Sequence, residues 1–313
     1  MTRGPAHSRR PFKDCLVLAV KGFCMGASDV VPGVSGGTMA FILGIYEELI
    51  RAIRSFDLHF LRLLFTLKVT NALEYASWRF LLSLGIGILT AIFTLARVLS
   101  WLLENRPVEI WSFFFGLVLA SAFIVSTHFS RWTLSTVAWI ALGGTFTYFL
   151  VGIVPATTPE APWFLFVSGA VAICAMILPG ISGAFVLVLL GKYHFVLEAV
   201  NNRDILTLFL VASGAGLGLV TFARLLNWLF NKHHDLTIAL LTGLMVGSLR
   251  KVWPWKSPLE SMTDIHGNVV ATLQTNILPH GGGGKIGMAV FLAAIGCSLV
   301  FFLNFLAEKR KRE

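Results

Sequence analysis

The stretch PGVSGGTMAFILGIY, from Pro32 to Tyr46, returns later in the chain as PGISGAFVLVLLGKY, from Pro179 to Tyr193. Pro, Gly, Ser, Gly, a later Gly and Tyr stand at equal spacing in both copies. Each copy lies within an apolar run, where a Pro-Gly pair breaks a helix that tries to pass. Such breaks leave backbone groups that a membrane interior cannot satisfy. The repeat therefore predicts two broken membrane segments whose breaks serve a function.

The composition indicates a membrane protein. The chain is 56% hydrophobic and 13% charged, with a mean hydropathy of +0.78, whereas soluble domains carry about 25% charged residues. The net charge of +9 could indicate nucleic acid. However, the basic residues cluster at the ends of apolar segments, which favours membrane topology and anionic headgroups, with no nucleic-acid partner. The four cysteines lie singly in apolar runs without metal-ligand spacing, so no metal or cofactor is predicted.

Apolar length predicts six membrane spans and two hairpins. A span takes about 20 apolar residues, and the predicted spans are 80–103, 108–126, 134–154, 205–230, 236–250 and 286–307. The motif regions 14–50 and 163–199 are too long for one span. Pro32-Gly33 and Pro179-Gly180 split each region into two short arms. This pattern predicts re-entrant helical hairpins, which enter and leave on the same side.

The distribution of positive charge supports re-entry. If the first motif region crossed the membrane, the basic residues of 51–79 would face the basic N-terminus from the opposite side, which the positive-inside rule disfavours. These residues are Arg51, Arg54, Arg62, Lys68 and Arg79. The sequence thus predicts that both termini are cytoplasmic and that 155–162 and 251–285 lie outside.

A longer internal repeat extends the motif. TLARVLSWLLEN, from Thr94 to Asn105, matches TFARLLNWLFNK, from Thr221 to Lys232. We therefore divide the single membrane domain into repeat 1 (12–155) and repeat 2 (162–308). Because three spans per repeat is an odd number, the repeats must be inverted. The predicted fold class is an all-α polytopic membrane protein of two inverted repeats, each a re-entrant hairpin plus three transmembrane helices, as in secondary transporters. The alternative is a duplication that only built a stable bundle.

The residues after each Pro-Gly pair predict an anion site. Serine is a strong N-cap residue, and the following small residues leave the helix amides uncovered, so the positive end of the helix dipole can bind an anion. The alternative is that the glycines only permit close helix packing. The predicted phosphate-binding residues are Ser35, Gly36, Gly37, Thr38, Ser182 and Gly183, together with Arg97 and Arg224.

Arg97 and Arg224 occupy equivalent positions deep in their predicted spans. An arginine at that depth costs about 2.5 kcal/mol or more unless it finds a partner or reaches the interface. Guanidinium binds phosphate at two points, so one arginine in each half of the membrane suits the transfer of an anionic headgroup. The alternative is that both side chains simply extend to the interface.

The first hairpin carries acids that the second lacks. Asp29 and Glu48 correspond to Met176 and Phe195 in the second copy. Asp29 is a candidate for proton or cation coupling, or it pairs with a nearby basic residue. Glu48 is a second coupling candidate, although its neighbourhood near the inner surface also fits plain solvation.

The segments GASDVVPGVSGGTMAFILGIYEELI and CAMILPGISGAFVLVLLGKY resemble the two signature segments of the polyprenyl-phosphate transporter (PopT) family. The resemblance covers about residues 12 to 307. It implies a flippase, ion- or proton-coupled, that returns undecaprenyl phosphate from the outer to the cytoplasmic leaflet of the bacterial inner membrane for cell-envelope polysaccharide synthesis. A transporter or channel for a small soluble anion is the alternative. A lipid phosphatase is disfavoured, since the histidines form no catalytic pattern with Ser, Arg and Asp. Homo-oligomerisation stays open.

Overall fold

Long apolar runs with helical spacing fold into helices, and the computed structural model is 81% helical. The structure describes residues 12–29, 36–127, 129, 131–153, 158–159, 161–263, 269–279 and 283–312. Its helices are α1 (Phe12–Asp29), α2 (Gly36–Ile42), α3 (Tyr46–Arg54), α4 (Leu58–Phe65), α5 (Val69–Tyr75), α6 (Trp78–Asn105), α7 (Pro107–Ser126), α8 (Leu134–Leu150), α9 (Pro162–Ile177), α10 (Gly183–Leu189), α11 (Tyr193–Asn201), α12 (Ile205–Lys232), α13 (His234–Ser248) and α14 (Gly283–Arg312). The strands β1 (Lys256–Thr263) and β2 (Val269–Asn276) form an antiparallel hairpin between α13 and α14.

The helical membrane class is confirmed. Within the described part of the chain, α6, α7, α12 and α14 are long and apolar enough to cross a membrane, and α8 and α9 are shorter apolar helices. The β-hairpin is an addition to the predicted helical fold. It falls in the segment 251–285, for which the sequence predicted an outer location but no structure.

Both motif regions contain a second break that the sequence analysis did not predict. After the Pro-Gly pair, the returning arm is two short helices, α2 then α3 in one copy and α10 then α11 in the other. The joints place Gly44 at φ +66° and Gly191 at φ +63°, a conformation that glycine adopts without the strain of a Cβ. The bend between α10 and α11 is 109°. These arms are therefore angled, not straight.

The first half holds an insertion that explains the changed spacing of the repeat. The helices α4 and α5 lie between α3 and α6, whereas α11 is followed by α12 after a short link. Outside the insertion, equivalent residues keep matching backbone conformations. Arg106, between α6 and α7, has φ −138° and ψ 51°, and His233, between α12 and α13, has φ −136° and ψ 53°.

Glycine contacts give the direction of the broken segments relative to their neighbours. A Cβ built on Gly22 of α1 would collide with Leu84 O of α6, and one on Gly26 would lie 2.5 Å from Ile88 O. From the first contact to the second, the residue number rises along both helices, so α1 and α6 run parallel. In the second half, Gly214 of α12 lies against Phe166 of α9, and Gly218 lies against Ala170. The helices α9 and α12 are parallel too.

The remaining spans pair across the two halves. Gly143 of α8 lies against Leu240 of α13, and Gly247 of α13 lies against Thr147, so α8 and α13 run parallel. Between α7 and α14, Gly116 lies against Ala293, and the rings of Phe123 and Phe301 lie 6.1 Å apart. This pair is parallel as well. Each half thus contributes two helices to these pairs, one to each pair.

The two returning arms differ in burial. Six of the seven α2 residues are buried, and α2 contacts α1, α7 and α9. In α10, Gly183, Val186 and Leu189 are buried, and its main neighbour is α9. The helix α3 packs along α12. Among the described residues, no comparable packing joins α11, the counterpart of α3, to α6.

We call the end of the bundle where α1 begins the first end, and the opposite one the second end.

Candidate functional site

The two broken segments meet in the core. Gly180, which follows Pro179, has φ +89°, and its N–H donates a hydrogen bond of 3.0 Å to Thr38 Oγ1 on α2. The Thr38 side chain is fully buried. The Tyr46 hydroxyl, on α3, donates to Ile177 O at the end of α9 over 3.2 Å. The structure therefore brings Thr38 and Gly180 together, and it uses the Thr38 hydroxyl to join the segments.

An acid already occupies the first turn of α2. The Gly36 N–H donates to Asp29 Oδ1 over 2.7 Å, so this amide is not uncovered as the sequence analysis predicted. The contact is local because α1 ends at Asp29 and α2 begins at Gly36. A carboxylate is an anion, so its position shows that this backbone turn accepts negative charge. Gly37 is buried beside Gly36, whereas Pro32, Gly33 and Ser35 lie outside the described residues.

The second copy is built differently. Ser182 is the N-cap residue of α10, but its side chain makes no capping hydrogen bond. A Cβ on Gly183 would lie 2.7 Å from Ala172 O of α9. This position fits close helix packing, the alternative considered for the glycines, and the phosphate-binding role of Gly183 stays a prediction. Among the predicted tip residues, Gly36 donates its amide N–H to an anionic group.

A cavity of about 490 Å³, lined mainly by polar and charged residues, opens near the first end. It is lined by Arg54, Asp57, Arg224, Asn227, Trp228 and Asn231. Arg224, predicted from its depth in the span, thus faces a cavity together with a second arginine. Asn227 and Asn231 share its face of α12 at helical spacing. That spacing could have identified them. Arg54 gave no such signal, because only the packing of α3 on α12 brings it close.

Asp57 adds one negative charge to this arginine cavity. It caps α4 by accepting from Phe60 N–H over 2.9 Å, and it accepts from the Tyr75 hydroxyl over 2.8 Å. Burial alone raises the pKa of this carboxyl, but the hydrogen bonds from Phe60 and Tyr75 bring the pKa below its usual value. Asp57 therefore stays ionised, and the two arginines leave the cavity with a net positive charge.

The other predicted residues are more dispersed. Arg97 lies on α6, the helix equivalent to α12, and its side chain lies outside the described atoms. Glu48 lies half-buried on α3. Its neighbour Glu47 sits 3.6 Å from Arg51 and 3.5 Å from His234. Among the described residues, no group of three or more His, Cys, Asp or Glu could hold a metal ion.

Comparison with known proteins places the chain in a family. Residues 25–270 match the family described as undecaprenyl phosphate translocase-like. A polyprenyl-phosphate transporter of Vibrio cholerae serotype O1 is 42% identical over 298 residues, 93% of this chain and 96% of the relative. A polyprenyl-phosphate transporter of Staphylococcus aureus is 31% identical over 255 residues, 75% of this chain and 85% of the relative. No solved structure matches the chain significantly.

Several apolar helices and two broken segments that meet in the core define a multi-pass membrane transporter. The relatives are named as transporters and not as enzymes. The chain belongs to the undecaprenyl phosphate translocase-like family. The resemblance drawn from the two Pro-Gly motifs is thereby confirmed.

Proposed function

We propose that this protein returns undecaprenyl phosphate from the outer to the cytoplasmic leaflet of the bacterial inner membrane, for reuse in cell-envelope polysaccharide synthesis. The observation that carries the proposal is the contact between the two broken segments, Gly180 N–H to Thr38 Oγ1. Such breaks are tolerated at membrane depth where they line a binding site. The polyprenyl-phosphate named for both relatives supplies the substrate class.

The proposal uses an inverted topology, which the helix directions support. Since α1 runs parallel to α6, the chain between them returns to the first end, as a re-entrant hairpin does. Single residues, Arg106 and His233, separate α6 from α7 and α12 from α13. These tight links require each pair to reverse direction. In this scheme α8 also reverses direction relative to α7. Since α13 runs parallel to α8, α12 then runs opposite to α6. The second hairpin therefore enters from the second end.

The charge distribution favours a cytoplasmic first end, with both termini inside. Impermeant thiol labelling of single cysteines in intact cells checks this orientation, in a background without the four native cysteines. A cysteine near residue 260 should be labelled, and cysteines at 60–70 should be protected. The reverse pattern would overturn both the orientation and the direction of transport that we derive from it.

In this scheme the phosphate is handed between basic and backbone groups. Gly36, Gly37 and Thr38, with Ser182 and Gly183, belong to the two turns that meet in the core. We assign Ser35, the residue before Gly36 in the sequence, to the same phosphate site. The phosphate displaces Asp29 from Gly36, which makes Asp29 the candidate coupling residue. Glu48, on α3, is the second candidate coupling residue. Arg97 serves the outer half, and Arg224 delivers the headgroup to the cavity near the first end, where Arg54 also binds it.

The test is the rate at which undecaprenyl phosphate moves between the leaflets of proteoliposomes that contain matched amounts of protein. Wild-type protein should move it, and a soluble phosphate ester should not be taken up. Arg224→Ala should nearly stop transport. Arg224→Lys should slow it about tenfold or more, because lysine keeps the charge but loses the two-point contact.

Arg62→Lys is the matched control, since Arg62 is exposed on α4 and lines no part of the cavity. Its rate should equal that of the wild type. Full activity of Arg224→Lys would assign Arg224 to interface anchoring. Uptake of the soluble ester in place of the lipid would support the small-anion alternative and contradict the proposed function.

A further inference from the structure

Two lysines lie side by side just beyond α13, near the second end. Lys251 follows the end of α13 at Ser248, and Lys256 is the first residue of β1. Both are half-buried. Lys256 Nζ donates to Lys251 O over 2.6 Å, so the two side chains belong to one local structure. The sequence analysis treated both residues only as outer-loop charges.

Docking of the β-hairpin fixes this structure. Val252, between the lysines, is fully buried against Leu99 and Phe114. Trp253 Nε1 donates to Ile277 O over 2.9 Å, and Ile277 N–H donates to Trp255 O over 3.0 Å. These contacts hold the backbone that carries the lysines to the start and the end of the hairpin.

Aromatic rings, and no described carboxylate, face the two ammonium groups. Lys251 Nζ lies 4.6 Å from the centre of the Phe185 ring, and Lys256 Nζ lies 3.9 Å from the centre of the Trp111 ring. A ring attracts a cation but does not neutralise its charge or accept its N–H groups as a carboxylate would. Among the described residues, neither lysine forms an ion pair.

Burial perturbs both amines. It lowers the pKa of Lys251. For Lys256, burial and then the neighbouring charge of Lys251 lower the pKa to about 7. An anion placed between the two groups would oppose both effects, since it would replace lost solvation and offset the repulsion. The electrostatics of the pair therefore favour binding of an anion.

The location links the pair to the transport route. Phe185 is the third residue of α10. A Cβ on Gly180 would lie 2.9 Å from Leu244 O and 3.0 Å from Ser248 Oγ, both on α13. The lysines thus border the second broken segment. They lie at the opposite end of the bundle from the Arg54 and Arg224 cavity, because α12 and α13 run in opposite directions.

We propose that Lys251 and Lys256 form a receiving site for a phosphate monoester group at the second end, with Phe185 and Trp111 as its walls. The inference rests on the proposed function and deepens it, because it assigns the place where the headgroup is first held. Two ammonium groups match the one to two negative charges of such a group. The adjoining aromatic rings suit the first isoprene units behind it.

Amine reactivity tests occupancy of the site directly. The full-length protein in nanodiscs is treated at pH 8 with a small amine-acylating reagent, and modification of each lysine is followed by peptide mass spectrometry. The probes are farnesyl phosphate, farnesol and inorganic phosphate. Farnesyl phosphate should slow labelling of Lys251 and Lys256 about fivefold or more. The bound phosphate would shield the amines and favour their protonated form, which does not react. The exposed Lys285 is the internal control and should not respond.

The probes also distinguish the two sources of a phosphate group. Protection by farnesyl phosphate alone would assign the site to the lipid headgroup. Equal protection by inorganic phosphate would support an anion site and assign it to free phosphate. Protection by farnesol to the same degree as by farnesyl phosphate, or no protection by any probe, would overturn the proposal.

Variants separate this inference from the proposed function. Lys251→Gln and Lys256→Gln should each weaken farnesyl phosphate binding about tenfold, and Lys285→Gln should change it less than about twofold. Unchanged thermal unfolding checks that each variant is folded. If the wild type transports undecaprenyl phosphate and the double lysine variant binds farnesyl phosphate normally, the lysine site is wrong and the function stands. If the wild type transports no undecaprenyl phosphate, the proposed function fails by itself.

Discussion

At the residue scale, the hydrogen bond from Gly36 N–H to Asp29 Oδ1 changes what the first motif can do. A carboxylate and a phosphate compete for the same backbone donor, and they cannot share it without strong repulsion at this distance. In the proposed scheme, Asp29 therefore holds the site before the headgroup arrives and leaves when the headgroup binds. This role is compatible with coupling, because protonation of Asp29 would weaken its hold on the amide.

Replacement of Asp29 by asparagine tests this competition. The asparagine oxygen can still accept from Gly36 N–H, but its negative charge is gone. We expect farnesyl phosphate to bind about tenfold more tightly to Asp29→Asn, since like-charge repulsion is removed. Undecaprenyl phosphate transport should slow, because the headgroup is released less readily. Binding is measured in nanodiscs and transport in proteoliposomes.

The matched control for this variant is Glu47→Gln. Glu47 also lies in the first half, but it is half-exposed and pairs with Arg51 and His234 near the first end. It should leave binding within about twofold. If Asp29→Asn behaves like this control in both assays, Asp29 is a structural acceptor for Gly36 and no competitor of phosphate.

At this scale, inference from sequence is strongest where chemistry is local and weakest where partners are distant. The small residues after the Pro-Gly pair predicted amides that can bind an anion, and the Gly36 amide donates to a carboxylate of the same broken segment. The phosphate site stays a prediction. The occupant of Gly36 N–H was not predicted, since the Asp29 side chain could as well have turned to a basic residue. Arg54 was overlooked for a similar reason. Its neighbour Arg224 comes from the other half of the chain.

At the element scale, the two broken segments depend on each other. Thr38 belongs to α2, and Gly180 precedes α10, yet one hydrogen bond of 3.0 Å joins them inside the core. Each broken segment could be predicted from its own sequence, because a Pro-Gly pair interrupts an apolar run in each. The second bends at Gly44 and Gly191 were present in the repeat as shared glycines, but glycine in an apolar run equally fits a straight, closely packed helix.

We expect Thr38→Val to destabilise the protein by about 1–3 kcal/mol. Valine fills nearly the same volume but offers no acceptor, so the buried Gly180 N–H loses its partner. Thr38→Ser keeps the hydroxyl and serves as the control, with a loss below about 1 kcal/mol from one deleted methyl group. Denaturant unfolding in detergent, followed by tryptophan fluorescence, measures both. Equal stability of the two variants would show that the hydrogen bond contributes little to joining the segments.

The β-hairpin shows the limit of hydropathy at this scale. The strands lie in a polar stretch without strong periodicity, and their position depends on Trp253, Trp255 and Ile277 joining the ends of the hairpin. Membrane spans are predictable from length because a bilayer imposes it. No comparable external constraint acts on a segment that folds over the end of a bundle.

At the scale of the whole molecule, equivalent elements from the two halves do not occupy equivalent environments. The helix α3 packs along α12 near the first end, and α2 is almost wholly buried. The helices α10 and α11 lie closer to the second end and bury fewer residues. A duplicated transporter alternates by exchanging the environments of its halves. We infer that the packing of α3 on α12 separates the core from the open Arg54 and Arg224 cavity at the first end, so that the headgroup enters the core from the second end, where Lys251 and Lys256 lie.

If this asymmetry is one of two working states, fixing α3 against α12 should stop transport. Glu47 of α3 and His234, which begins α13 just after α12, approach to 3.5 Å between Oε1 and Nε2. Cysteines at these two positions, in a background without native cysteines, can be joined by a short bifunctional thiol reagent. Cross-linking should lower transport to the level of empty liposomes. If the reagent is cleavable, reduction should restore transport, because α3 can again separate from α12.

The control pair is Arg106→Cys with Glu109→Cys. Their charged groups lie 3.5 Å apart at the start of α7, and their cross-link spans no moving contact. Normal transport by the cross-linked Glu47–His234 pair would show that α3 stays on α12 throughout the cycle, and the headgroup would then need a route to the first end that avoids the Arg54 and Arg224 cavity.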